Sequence, residues 1–124
     1  KEEVIFSELS PRPHDTGMVT LISQNLNEFD LHIRSILNLP IKPIELLGPS
    51  ASAVVLATKH SDKVSYEGIS EALNISGIDV RIFGKHFARP YRRMAVCLSK
   101  ASTLKEARAN ALRASKKIKI IYNT

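Results

Sequence analysis

The sequence carries one cysteine and no tryptophan, and no stretch of it stays apolar for the ~20 residues that a membrane-spanning helix needs. One cysteine excludes an internal disulfide framework and suits a reducing compartment. Cys97 stands in the apolar run 94–98, where a buried structural thiol is expected rather than a nucleophile. Histidines are few: His14, His32, His60 and His86 show no H-x-x-x-H spacing, so no histidine metal site is expected. Neither a Walker loop nor G-x-G-x-x-G occurs, which removes the glycine-rich phosphate cradle. Ser10, His14 and Asp15 offer triad residue types, but near neighbours in one loop seldom converge as nucleophile, base and orienter. No signal peptide is visible. The expectation is a soluble, cytoplasmic domain with no membrane partner.

What is present is a chain of ordinary domain size, 124 residues with 44% hydrophobic content, enough for one core. Eighteen Lys and Arg against twelve Asp and Glu give a net charge of +6, which favours anionic partners such as nucleic acid, acidic lipid or phosphorylated metabolites. A merely solvated basic surface accounts for most of the same residues. Lys1 opens the chain without an initiator Met and close to a strand pattern, so a piece of a longer protein is expected.

Residues 3–9 read as a strand, with Val4, Phe6 and Glu8 on one face and Ile5 and Ser7 on the other. Pro11 and Pro13 then make residues 10–17 a stiff, non-helical loop in which Gly17 supplies the turn. Residues 25–38 read as a helix, with Asn25 as N-cap and Glu28 closing a capping box. The proline-rich stretch 39–50 is the best domain boundary. Beyond it, residues 51–57 read as a buried strand, and 65–74 as a short helix with Ile69, Ala72 and Leu73 inward. Residues 78–83 and 93–98 read as strands around the 84–92 loop. Thr103 and Glu106 signal a second helix start, with Leu104, Ala107, Ala111, Ala114 and Ile118 on its inner stripe. Residues 119–122 close as a strand. The alternation is α+β: a small sheet or barrel with packed helices.

Two clusters carry chemistry. Glu8, at a strand end, can hold Mg²⁺, which takes one or two carboxylates together with phosphate oxygens. Arg12, four residues on, can grip a phosphoryl or carboxylate oxygen, and Asp15 can accept from a substrate amine or hydroxyl. A plain Glu8–Arg12 ion pair fits the same spacing equally well. The second cluster, Lys85 with Arg92 and Arg93, suits a phosphate monoester. Adjacent arginines on a regular strand point to opposite faces, however, and an exposed basic hairpin fits as well. The basic outer side of the last helix, Lys105 to Lys117, has no exposed interleaved aromatics, so a nucleic-acid surface is not expected there.

The string Ser7-Glu8-Leu9-Ser10-Pro11-Arg12-Pro13-His14-Asp15-Thr16-Gly17-Met18-Val19-Thr20 resembles the metal-and-substrate segment of formate-dependent phosphoribosylglycinamide formyltransferases. The likeness continues through Glu28-Phe29, Leu31-His32-Ile33-Arg34 and Gly48-Pro49-Ser50-Ala51-Ser52-Ala53-Val54. It returns at Arg81-Ile82-Phe83-Gly84-Lys85 and at Arg92-Arg93, and so covers nearly the whole chain. The resemblance implies an ATP-grasp ligase using ATP and Mg²⁺ to join formate to glycinamide ribonucleotide through formyl phosphate. It implies Glu8 as a Mg²⁺ ligand, Arg12 near the transferring phosphate, Asp15 on the glycinamide substrate, and Lys85, Arg92 and Arg93 on its ribose phosphate. It further implies the end of an ATP-grasp domain over residues 1–38, a small C-terminal domain over 39–124, and a homodimeric parent. The family's other Mg²⁺ carboxylate and its nucleotide loops precede this segment, so the chain alone is expected to be inactive. The related carboxyaminoimidazole ribonucleotide synthases share the fold but not the Pro-His-Asp-Thr-Gly run.

Overall fold

In the computed structural model, which describes residues 3, 5, 6 and 9–123, the centre is a strand buried on both sides. This strand, β4 (Arg93–Lys100), shows six consecutive buried residues from Met94 to Ser99. Strict burial on alternate residues would mean one covered face; an unbroken run means two. Ala95 and Cys97 pack toward Val55, Ala72, Ala114 and Ile118, whereas Val96 and Leu98 pack toward Met18, Leu21, Ile22 and Phe83.

Antiparallel neighbours flank β4: β1 (Ser50–Leu56) on one edge and β3 (Ile78–Ile82) on the other. A second, two-stranded antiparallel sheet joins β2 (Lys63–Glu67) to β5 (Lys119–Asn123). The architecture is mixed α+β with two small sheets and no closed barrel among the described residues. The helices are α1 (Thr20–Ser23), α2 (Glu28–Ile36), α3 (Ile69–Leu73) and α4 (Leu104–Lys117), with a 3₁₀ turn at Asp15–Val19.

α4 behaves as its spacing dictates. Steps of four and three place Ala107, Ala111 and Ala114 on one stripe, and all three are buried against the sheet. Thr103 caps the helix by accepting from the Glu106 amide, 3.2 Å. Leu104, the first residue of α4, departs from the expected inner stripe and stays exposed.

Three local expectations are corrected. Residues 65–74 are half strand and half helix, divided at Gly68. Its φ of +79 and the closeness of the Lys117 carbonyl leave no room for a side chain, so the chain turns there. Leu73 lies exposed at the end of α3, and only Ala72 there is fully buried. The capping box of α2 is shifted by two residues. Asn27 accepts from the Phe29 and Asp30 amides, and Asp30 returns the bond to the Asn27 amide. Asn25 is used elsewhere, bridging the Pro43 carbonyl and the Glu45 amide. The expected strand at residues 3–9 falls partly outside the described residues, and its described members belong to no strand.

Candidate anion-binding site

Pro11 and Pro13 stiffen the loop that leads to Asp15, and the loop is held at two further points. Met18 is buried against Val96 and Leu98, which lays the 3₁₀ turn over β4. From the other side Glu28 stitches the loop. One carboxylate oxygen accepts from the His14 amide at 3.0 Å, and the Glu28 amide donates to Thr20 Oγ1 at 2.9 Å. Thr20 Oγ1 in turn donates to the Gly17 carbonyl, 2.6 Å. A Cβ at Gly17 would collide with the Glu28 carboxylate, so a larger residue there would push that side chain out of place.

This docking brings Asp15 onto Arg93, 78 residues away in sequence. Arg93 Nη1 donates to Asp15 Oδ1 at 2.8 Å and lies 2.7 Å from Oδ2 of the same carboxylate. His14 Nδ1 lies 3.2 Å from the same carboxylate. The two sequence clusters thus meet through Asp15 and Arg93. Arg12 is not part of the meeting: it is exposed, and its guanidinium donates to the neighbouring Pro13 carbonyl, 3.0 Å. Glu8 lies outside the described residues. Among the described residues no group of three or more His, Cys, Asp or Glu is placed to hold a metal ion, and Asp15 is engaged by Arg93.

The second cluster is shaped by a turn. The Arg92 amide donates to the Arg89 carbonyl at 3.0 Å, with Pro90 and Tyr91 between them. Proline suits the second position of such a turn; Tyr91 occupies the third with φ +65, a strained conformation for a bulky residue. Reciprocal bonds between Ala88 and Ser61, and bonds from Ala57 to Arg92 and from Tyr91 to Ala57, pin this segment to the end of β1. Arg92 therefore precedes β4 rather than lying in it. The register also jumps from Val55–Ala95 to Leu56–Arg93, so Met94 has no partner opposite. The opposite-face constraint on adjacent arginines does not apply to so irregular an end.

Lys85, Arg89, Arg92 and Arg93, with Val54, Leu56 and Tyr91, line one open cleft of about 430 Å³. Among the described residues four cations and no carboxylate line it, the electrostatics of an anion site. Two of the cations rest on aromatic rings: the Arg92 guanidinium lies 4.0 Å from the Phe87 centroid and Lys85 Nζ 5.8 Å from that of Phe83. Reading the residues alone missed Arg89, Phe87 and Glu28. Arg89 carried a usable signal, since Pro90 beside it announces a turn that folds its neighbours together. Cys97 is fully buried, and burial pushes its thiol up to about 11, which bears out a structural role.

The family model for the ATP-grasp domain matches residues 1–29, and the one described as "PurT, C-terminal" matches residues 50–118, more than half of the chain. The chain belongs to the PurT C-terminal family. A formate-dependent phosphoribosylglycinamide formyltransferase of Trichormus variabilis is 63% identical over 120 residues, which are 97% of this PurT C-terminal chain and 31% of that protein. The chain thus spans about a third of the curated relatives that it matches. Among solved structures, N5-carboxyaminoimidazole ribonucleotide synthetase from Thermotoga maritima superposes with TM-score 0.83 at 34% identity, over 92% of this chain and 32% of that one. Glycinamide-RNase-transformylase T from Mycobacterium tuberculosis gives TM-score 0.70 at 28% identity, over 94% of this chain and 32% of that one.

Proposed function

We propose that this chain is the C-terminal part of a formate-dependent phosphoribosylglycinamide formyltransferase, and that its cleft grips the phosphate of glycinamide ribonucleotide. The observation that carries this reading is the cleft itself, with Lys85, Arg92 and Arg93 on its lining and Asp15 delivered to Arg93 from the other cluster. A phosphate monoester presents oxygens that arginine donors match in pairs, while Lys85 adds a compact charge. Asp15, beside the phosphate end of the substrate, would accept from its amine or hydroxyl groups and orient them. Positioning of this kind is what a phosphoryl-transfer ligase asks of residues away from the transferred group.

The remaining assignments rest on the resemblance. ATP supplies the phosphoryl group, formate is the co-substrate, Glu8 serves as a Mg²⁺ ligand and Arg12 lies near the transferring phosphate. The described residues do not form a Mg²⁺ donor set by themselves. We divide the chain at residues 1–38, the end of an ATP-grasp domain, and 39–124, a small C-terminal domain. This division is supported by the apolar side chains that α2 leaves uncovered, Phe29, Ile33 and Ile36, which the remainder of an ATP-grasp domain would cover. A homodimeric, cytoplasmic parent completes the proposal. The basic side of α4 is read as a solvated face, and no nucleic-acid or membrane partner is proposed.

The second reading, a carboxyaminoimidazole ribonucleotide synthase, is favoured by the Thermotoga maritima superposition. The two separate on one assay: ribonucleotide-dependent ADP production by the full-length enzyme with formate or with bicarbonate. Activity with formate and glycinamide ribonucleotide is expected, and activity with bicarbonate alone would overturn the assignment. The isolated chain should neither bind ATP tightly nor turn over.

A further inference from the structure

The cations of the cleft are held in different ways. Arg93 has the Asp15 carboxylate, whereas Arg92 has no carboxylate partner among the described residues. One Arg92 guanidinium nitrogen, Nη1, is shut away from solvent and has no hydrogen-bond partner among the described residues. A desolvated cation without an anion is costly, and an aromatic face is one of the few neutral groups that offsets it. Phe87 supplies that face, 4.0 Å from the guanidinium carbon.

Phe87 is not a core residue. It belongs to none of the buried clusters and remains 44% exposed. Phe83, under Lys85, differs on both counts: it packs with Met18, Val96 and Leu98, and its ring lies farther from its cation at 5.8 Å. The backbone around Phe87 is fixed by the Ala88–Ser61 bonds and by the turn from Arg89 to Arg92, so its ring is offered from a stiff support.

We infer that Phe87 is a positioning residue for the ribonucleotide-phosphate site: its ring holds the Arg92 guanidinium flat against the cleft wall, ready for the phosphate. The inference rests on the reading of the cleft given above. It is tested in the full-length enzyme by Phe87→Leu, which keeps apolar bulk and removes the π face, with Phe87→Tyr as the conservative partner. Phe87→Leu should raise the KM for glycinamide ribonucleotide by about five- to thirty-fold. The KM for ATP and kcat should stay within about two-fold, the split expected for lost substrate binding. The unfolding midpoint should fall by no more than about 2 °C, and Phe87→Tyr should restore the wild-type KM. An unchanged ribonucleotide KM in Phe87→Leu, or equal rises in both KM values, would overturn the inference. Arg92→Ala separates the two levels. If it raises the ribonucleotide KM while Phe87→Leu does not, the Phe87 inference alone falls; if Arg92→Ala has no effect either, the phosphate-site reading falls with it.

Discussion

Residues 50–123 and residues 10–47 solve the problem of apolar surface in opposite ways. The former bury a core around β4 and α4, and every buried hydrophobic side chain among the described residues except Met18 belongs to them. The latter hold α2 by local means, an Asn27–Asp30 capping box, while Phe29, Ile33, Ile36 and Leu37 stay uncovered. Helix formation and helix burial are therefore separable here: end groups and spacing fix where α2 starts, and only a packing partner stabilises its inner face. Among the described residues Met18, with Leu21 and Ile22 packed beside it, ties the first region to the second, and Asp15, paired with Arg93, lies three residues from Met18 in sequence.

The sharpest break of this contrast is a matched pair of truncations. Leu98→Ala in β4 should cost about 3–4 kcal/mol in denaturant unfolding, because it opens a cavity in a fully buried site. Ile36→Ala, on the uncovered face of α2, should stay within about 0.5 kcal/mol. Equal losses would mean that the two regions share one core. A smaller and more local effect is expected from Met18→Ala. Amides of residues 14–22 should exchange faster by a factor of about thirty, for roughly 2 kcal/mol of lost anchoring, while β4 amides keep their protection. Exchange that rises evenly along the chain would show Met18 to be part of the main core.

Gly17→Ala should cost about 1–2 kcal/mol of local stability, since the added methyl meets the Glu28 carboxylate that holds the His14 amide. Its signature is a shifted His14 amide resonance with an unperturbed α4. The smallest effect at neutral pH concerns Cys97. Its pKa is raised above the unfolded value of 9.0 to about 11, so the folded state keeps the thiol proton longer than the unfolded state does. The stability from this difference is whole below pH 9 and is lost as pH rises through 11. Tyr66, raised by burial and then by Tyr122, adds to the same alkaline loss. Cys97→Ala should flatten the decline, measured by denaturation at pH 8 and pH 10.5; an unchanged slope would remove Cys97 from its cause.

How much of this was legible in the sequence follows the range of the interactions. The α4 alanine stripe, β3, β4 and β5 all rest on spacing within one element, and the periodicities located them. Residues 63–67 were missed as a strand because their partner, β5, lies more than fifty residues away, and half-buried pairing leaves a weak local signal. The α2 cap moved from Asn25 to Asn27 because Asn25 was drawn into a bridge to Pro43 and Glu45, again a contact outside the helix. At the site, residue types located Asp15, Lys85, Arg92 and Arg93 as candidates. That Arg93 answers Asp15, and that the Arg92 guanidinium lies over the Phe87 ring, depend on how the 3₁₀ turn and the 84–92 segment dock on β4. No spacing rule reaches that far.

The central claim is that these two regions build one ribonucleotide site where Asp15 meets Arg93. A double-mutant cycle on kcat/KM for glycinamide ribonucleotide, with Asp15→Asn and Arg93→Ala in the full-length enzyme, tests it most directly. The account predicts strong coupling, with the double variant losing at least about ten-fold less than the product of the two single losses. Losses that multiply to within about two-fold would show that Asp15 and Arg93 act independently, and would contradict it.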